Sequence, residues 1–189
     1  MPKDEVGYIF IRDPHPDPRT VKQNLAGQPG VYFVAEFVGA FVVFAAVEFD
    51  TLQELQEAIA GAYWEAGLRS ETSTIVKSSR LAAPKRGSPE YCGLVQATIG
   101  DRDPVDVLED LDQTFEDRFN ADPNHEHFWY GAALVTGEFD LLIDLGADTK
   151  RRINEMVARD VRRIPGILRT VTSHAYLPGN ELRPGKPAS

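Results

Sequence analysis

The second half of this 189-residue chain repeats the first. Val6-Gly7-Tyr8 returns as Cys92-Gly93-Leu94, Asp17-Pro18 as Asp103-Pro104, and Val21 and Leu25 as Val107 and Leu111, all at an offset of 86 residues. Further on, Gly39-Ala40-Phe41 returns as Gly137-Glu138-Phe139 and Asp50-Thr51 as Asp148-Thr149, at an offset of 98. The change in offset marks one insertion of twelve residues in the second copy, between Leu111 and Gly137. An internal repeat restricts the fold before any element is assigned, because one small unit has to be built twice.

The local patterns give each unit the same order. In the first, Gly7–Arg12 is a short apolar, aromatic run and reads as a strand. Asp17 then stands as an N-cap before Pro18, with Val21 and Leu25 on one face of a short helix that ends at Gly27. Val31–Val38 and Phe41–Glu48 form a hairpin about Gly39. Thr51 and Glu54 have the spacing of a capping box for a second helix, whose buried stripe is Leu52, Leu55, Ile59 and Tyr63. Thr72–Lys77 is the last strand. The second unit repeats this as Leu94–Ile99, a helix from Pro104 with apolar positions 107, 111, 115 and 119, strands Phe128–Val135 and Phe139–Leu145, a helix capped by Asp148 or Thr149, and strand Arg169–Tyr176.

The order β-α-β-β-α-β is the ferredoxin-like plait, whose helices cover one face of the sheet. In the first copy the run Phe41–Ala46 is apolar on both faces, so the face without helices also expects burial. The expected fold is α+β: tandem ferredoxin-like plaits with the dimeric α/β-barrel type of packing between two sheets. The expected domains are 1–78, a linker over 79–90, a second repeat over 91–177, and a loose Pro- and Gly-rich tail over 178–189.

Composition limits the function. Apolar residues make up 42%, enough for a sizeable core. The formal charge of −9 argues against direct nucleic-acid binding, which needs cations to replace phosphate counterions. Arg151, Arg152, Arg159, Arg162 and Arg163 crowd one predicted helix, and a solvated helix face is the simpler reading than a phosphate site. One cysteine, Cys92, forbids an intrachain disulfide and fits a reducing compartment. The first residues lack the apolar core of a signal peptide. The most apolar stretch, Val31–Val47, is shorter than the ~20 residues of a membrane helix and is broken by Glu36 and Gly39. A soluble, cytoplasmic protein that does not contact the membrane is expected.

The segments Leu134–Leu142 (LVTGEFDLL) and Ile164–Thr172 (IPGILRTVT), with the spacing between them, resemble the effector-binding (RAM) domain of Lrp/AsnC regulators. The likeness covers Cys92–Tyr176 well and Val6–Lys77 weakly, since Val42 stands where the motif has Asp140 and Ala66 where it has Pro165. The resemblance implies a homo-oligomer with amino-acid effectors at subunit interfaces, without a cofactor. The helix-turn-helix of those regulators has no counterpart before the first strand, leaving a sensing or assembly module, with a protein partner as a further option.

The candidate ligand site follows from that motif and from strand alternation. Asp140 and Asp144 share a face with Leu142, opposite the fully apolar Phe139, Leu141, Ile143 and Leu145. A carboxylate there needs a cation or N–H donors, and an amino-acid ammonium or an arginine of the chain would each serve. Gly137 suits the turn and a close backbone approach, and Thr136 adds a hydroxyl by carry-over from the motif. The expected ligand residues are Thr136, Gly137, Asp140 and Asp144, with no catalytic residue and no metal ligand. His125 and His127 lack further ligands at metal spacing, and Glu36 and His174 read as an edge charge and a core histidine. The alternative is an enzyme on the same stacked-plait scaffold, either haem-dependent like chlorite dismutases or cofactor-free like some monooxygenases. A haem enzyme would need a proximal histidine, with His174 or His127 as candidates. The third alternative is a structural assembly protein in which Asp140 is paired within the chain.

Overall fold

The computed structural model describes residues 5–12, 17–51, 53–57, 60, 73–81, 89–121 and 128–176, with the backbone alone for 5 and 73–81. The predicted stripe positions Leu52, Ile59 and Tyr63, the histidines 125 and 127, most of the 79–90 linker and the 178–189 tail lie outside the described residues. The chain divides into two compact units, with the boundary between Ser78 and Ser79.

The N-terminal unit has strands β1 (Glu5–Ile11), β2 (Val31–Glu36), β3 (Val43–Phe49) and β4 (Ser73–Leu81), helix α1 (Pro18–Ala26), and a helical stretch over 53–57, α2. Its strands are ordered β2-β3-β1-β4, and β1 runs antiparallel to both β3 and β4. Asp17 caps α1: its carboxylate accepts from the amides of Arg19 (2.9 Å) and Thr20 (3.2 Å) and from the Thr20 hydroxyl (2.6 Å). These bonds to the charged form hold the Asp17 carboxyl below its ordinary range, the Thr20 hydroxyl contributing most. Around α2 the amide of Glu54 donates to Thr51 Oγ1 (3.2 Å), the cap that the sequence spacing predicts, while the Glu54 carboxylate reaches back one residue further than a capping box and accepts from the Asp50 amide (3.0 Å). Val21, Leu25 and Leu55 pack on Ile9, Ile11, Val43, Ala45, Val47 and Phe49. Gly7 leaves room for Leu55: a Cβ there would lie 2.8 Å from Leu55 Cδ1.

Strand alternation sends Tyr8, Phe10 and Phe44 to the other face. There they join Phe33, Phe37 and Phe41 in a run of ring contacts at 5.0–6.2 Å between centroids. Phe10 and Phe41 are each 1% exposed, so the face without helices is as buried as the face with them. The hairpin strands are shorter than the sequence runs. β2 ends at Glu36, leaving Val38 71% exposed beyond it, and β3 begins at Val43, the partner of Glu36; a bulge between Val31 and Phe33 shifts the register at the far end of the pair.

The C-terminal unit has β5 (Tyr91–Ile99), α3 (Pro104–Ala121), β6 (Phe128–Thr136), β7 (Leu141–Ala147), α4 (Lys150–Arg159), a 3-10 turn (Val161–Arg163) and β8 (Ile167–Tyr176). Its strand order, β6-β7-β5-β8, is that of the first unit. Of the predicted stripes, Val107, Leu111 and Phe115 of α3 and Ile153 and Val157 of α4 are buried, as are Val161 and Ile164 after it, while Phe119 is half-buried at the edge of the same core. Thr149, the alternative cap to Asp148, accepts from the Arg152 amide (3.2 Å). The helix stops at Arg159, and the 3-10 turn carries the chain to Gly166, whose φ of 96° is the left-handed conformation that glycine tolerates. Both units are ferredoxin-like plaits, and the chain is α+β with two antiparallel sheets.

Candidate functional site

The helices of the C-terminal unit pack on Val95, Ala97, Ile143, Leu145, Tyr130 and their neighbours. The alternate positions therefore form the opposite, helix-free face: Cys92 and Leu94 on β5, Trp129 and Ala133 on β6, Leu142 and Asp144 on β7, and Ser173 and Ala175 on β8. Apart from Asp144, all of these are buried. Asp144 is half-buried, and its neighbours are fixed by register, Leu94 on one side and Gly131 on the other.

One oxygen of that carboxylate is saturated. Oδ1 accepts from the Trp129 indole Nε1–H at 2.9 Å and from the Cys92 thiol at 3.1 Å. Among the described residues Oδ2 has no hydrogen-bond partner. Desolvation pushes the Asp144 carboxyl above its ordinary range, against the pull of the two donors. The Cys92 thiol is pushed well up, first by burial and then by the Asp144 charge, so it remains a proton donor to the carboxylate rather than a thiolate. Gly146 makes the arrangement possible. A Cβ at that position would enter the Trp129 ring and stand 2.6 Å from Pro89 Cγ. The arrangement is a carboxylate of raised basicity with one oxygen held and the other available, the requirements of a general base.

The four predicted ligand residues do not converge. Asp140 lies just before β7 and knits backbone: Oδ2 accepts from the Ile99 amide (2.8 Å), its own amide donates to Ala97 O (3.0 Å), and its carbonyl accepts from the Val135 amide (2.9 Å). Thr136 and Gly137 are exposed at the same turn. Asp144 is four residues further along the strand, roughly 13 Å by strand rise. Cys92 and Trp129 were absent from the predicted set. Cys92 reads as a small buried hydrophobe, and Trp129 falls in the inserted stretch. Only the register of β5 and β6 on β7 brings both to Asp144.

His174, the one histidine among the described residues, is on the opposite face. It pairs with Gly93, and its Nδ1 lies 3.7 Å from where a Gly93 Cβ would be, beside Ile153 of α4. That nitrogen is buried without a hydrogen-bond partner, and burial and the nearby Lys150 charge lower the pKa of the ring. An unprotonated nitrogen is what a haem iron would need, but this one is buried against Gly93 and Ile153. His174 Nδ1 does not fit a haem iron, and His127, the other candidate, lies outside the described residues.

No family model and no curated protein matches the sequence. Solved structures do. A proposed monooxygenase from Lactobacillus acidophilus aligns with a TM-score of 0.57 and 5% identity over 90% of this chain and 92% of that one. Chlorite dismutase from Candidatus Nitrospira defluvii aligns at 0.55 and 11% identity over 92% of each chain, and its imidazole complex at 0.54 and 11% over 91% of each. These neighbours correct the Lrp/AsnC resemblance, together with the amino-acid sensing and transcriptional regulation it implied. A β-α-β-β-α-β order with a glycine turn is common to many plaits, and the short motif reported that order rather than a lineage. The likeness, which spans almost the whole chain, shows the fold: an α+β protein of the dimeric α/β-barrel class.

Proposed function

We propose that the chain is an enzyme that works without haem, with Asp144 as its general base. The observation that carries this is the free Oδ2 of a half-buried carboxylate whose other oxygen is held by Trp129 and Cys92. A carboxylate kept out of water reduces stability, and such groups concentrate at functional sites. The fold is one on which a proposed monooxygenase is built, and the reaction class that suits a base with no metal or cofactor is oxygenation of a substrate that supplies its own electrons. Oδ2 takes a proton from a methylene flanked by activating groups. The resulting carbanion reduces dioxygen, and the sum is CH2 plus O2 giving a carbonyl and water. The Trp129 and Cys92 donors keep the base oriented and stabilise its charged form.

Two coarser readings go with this one. The repeats at 1–78 and 91–177 are duplicates of one unit of which the second bears the site, and the chain self-associates as a homo-oligomer.

Dioxygen uptake with an anthrone probe, without added metal or haem, is the test. Asp144→Asn is expected to lower kcat by about 10²–10⁴-fold. Asp140→Asn, which keeps an acceptor for the Ile99 amide, is expected to retain activity. Undiminished turnover in Asp144→Asn overturns the assignment.

A further inference from the structure

On the helical side of the C-terminal unit, away from Asp144, α3 and α4 border a groove of about 290 Å³. Four of its lining residues are arginines: Arg118 from α3 and Arg151, Arg152 and Arg159 from α4. Two are carboxylates, Asp148 and Glu155, leaving two net positive charges in the groove. The segment from Lys150 to Arg163 carries six cations and two carboxylates, in a chain of net charge −9. Helix period and the 3-10 turn sort these cations. Arg162 donates to Thr170 Oγ1 at 2.7 Å, and neither it nor Arg163 lines the groove.

The guanidiniums that do line it are only partly engaged. Arg118 is anchored by Asp160 at 2.6 Å, and both side chains are mostly buried. Arg152 to Asp148 (3.6 Å) and Arg151 to Glu155 (3.7 Å) are exposed pairs, longer than hydrogen bonds and worth little in water. Arg159 has no carboxylate partner among the described residues. Each guanidinium has five N–H donors, so single ion pairs leave most of them unused. Planar forks converging on a small concave space match tetrahedral oxyanions better than carbonyls or cations. The volume is near the lower end of ligand pockets, suited to a small molecule. A phosphate monoester carries about −1.5 to −2 charges at neutral pH, opposite in sign to the groove.

We infer that this groove binds the phosphate group of a small phosphorylated molecule, at a second site on the far side of the sheet from Asp144. Its basis is independent of the proposed chemistry, so either can fail alone.

Calorimetric titration of the full chain with phenyl phosphate, with inorganic phosphate in parallel, tests it. One saturable site is expected for phenyl phosphate. Arg159→Gln and Arg151→Gln should each weaken it at least about tenfold. Arg163→Gln removes the same charge outside the groove and should leave the affinity within about twofold. Comparable affinity for inorganic phosphate would identify the free anion as the ligand, whereas a clear preference for phenyl phosphate would identify the ester. Equal weakening by Arg163→Gln would reduce the effect to the general field of the helix and overturn the site. Absence of saturation up to about 10 mM of either probe would do the same.

Discussion

The Asp144 carboxylate sets a pH signature that follows from its surroundings. Its folded pKa lies above the ordinary 3.8, chiefly through burial. The native state therefore holds this proton more tightly than the unfolded chain does. That contribution to stability is complete below 3.8 and is lost as pH rises through the folded value. Asp144→Asn removes the titration while keeping an acceptor for Trp129. In denaturant titrations the variant is expected to gain on the parent as pH rises through that window and to be the more stable at neutral pH. A constant difference across the window would mean that burial does not disfavour the charged form. Together with the expected loss of turnover, this would give one residue opposite effects on stability and activity, as strained functional groups do.

At the scale of elements, the site depends on how closely β6 and β7 approach. Gly146 faces Trp129 across the ladder and has no side chain to displace it. Gly146→Ala is expected to cost about 1–3 kcal/mol, the usual penalty of overpacking, and to alter Trp129 fluorescence as the indole leaves the carboxylate. Normal stability with an unchanged spectrum would show that the strand pair can absorb a methyl group. The elements themselves were legible: α1 from Asp17-Pro18 and α2 from Thr51 and Glu54, because caps are local chemistry. Strand ends were less so. Asp140 reads as a strand residue whose carboxylate needs a cation or N–H donors; it precedes β7, and its donor is the Ile99 amide, a partner 41 residues away in sequence. Residue spacing carries no information about such a contact.

For the whole molecule, the scaffold is an α+β plait in two copies, a fold that supports many chemistries. Burial of His174 Nδ1 against Gly93 and Ile153 keeps that nitrogen from a haem iron. Haemin titration is expected to give no Soret band beyond that of free haemin. A band that shifts on binding and disappears in His174→Ala would reverse this conclusion. No helix among the described residues is long and apolar enough to cross a membrane. The attraction of the groove for an anion is electrostatic and exposed to screening by dissolved ions. Phosphate binding should therefore weaken as salt rises.

The sequence by itself determined the duplication, the β-α-β-β-α-β order, the caps and the buried stripes. These follow from local propensity and from periods of two and 3.6, which neighbouring residues express without help. It also marked both faces of the N-terminal sheet as apolar. Only the tertiary structure decided which polar groups meet. Cys92, Trp129 and Asp144 are brought together by strand register, where a slip of one residue would turn each to the other face. The arginines of α4 became a groove only where α3 runs beside them. Long-range pairing, not composition, made a carboxylate into a candidate base and a charged helix into a candidate anion site.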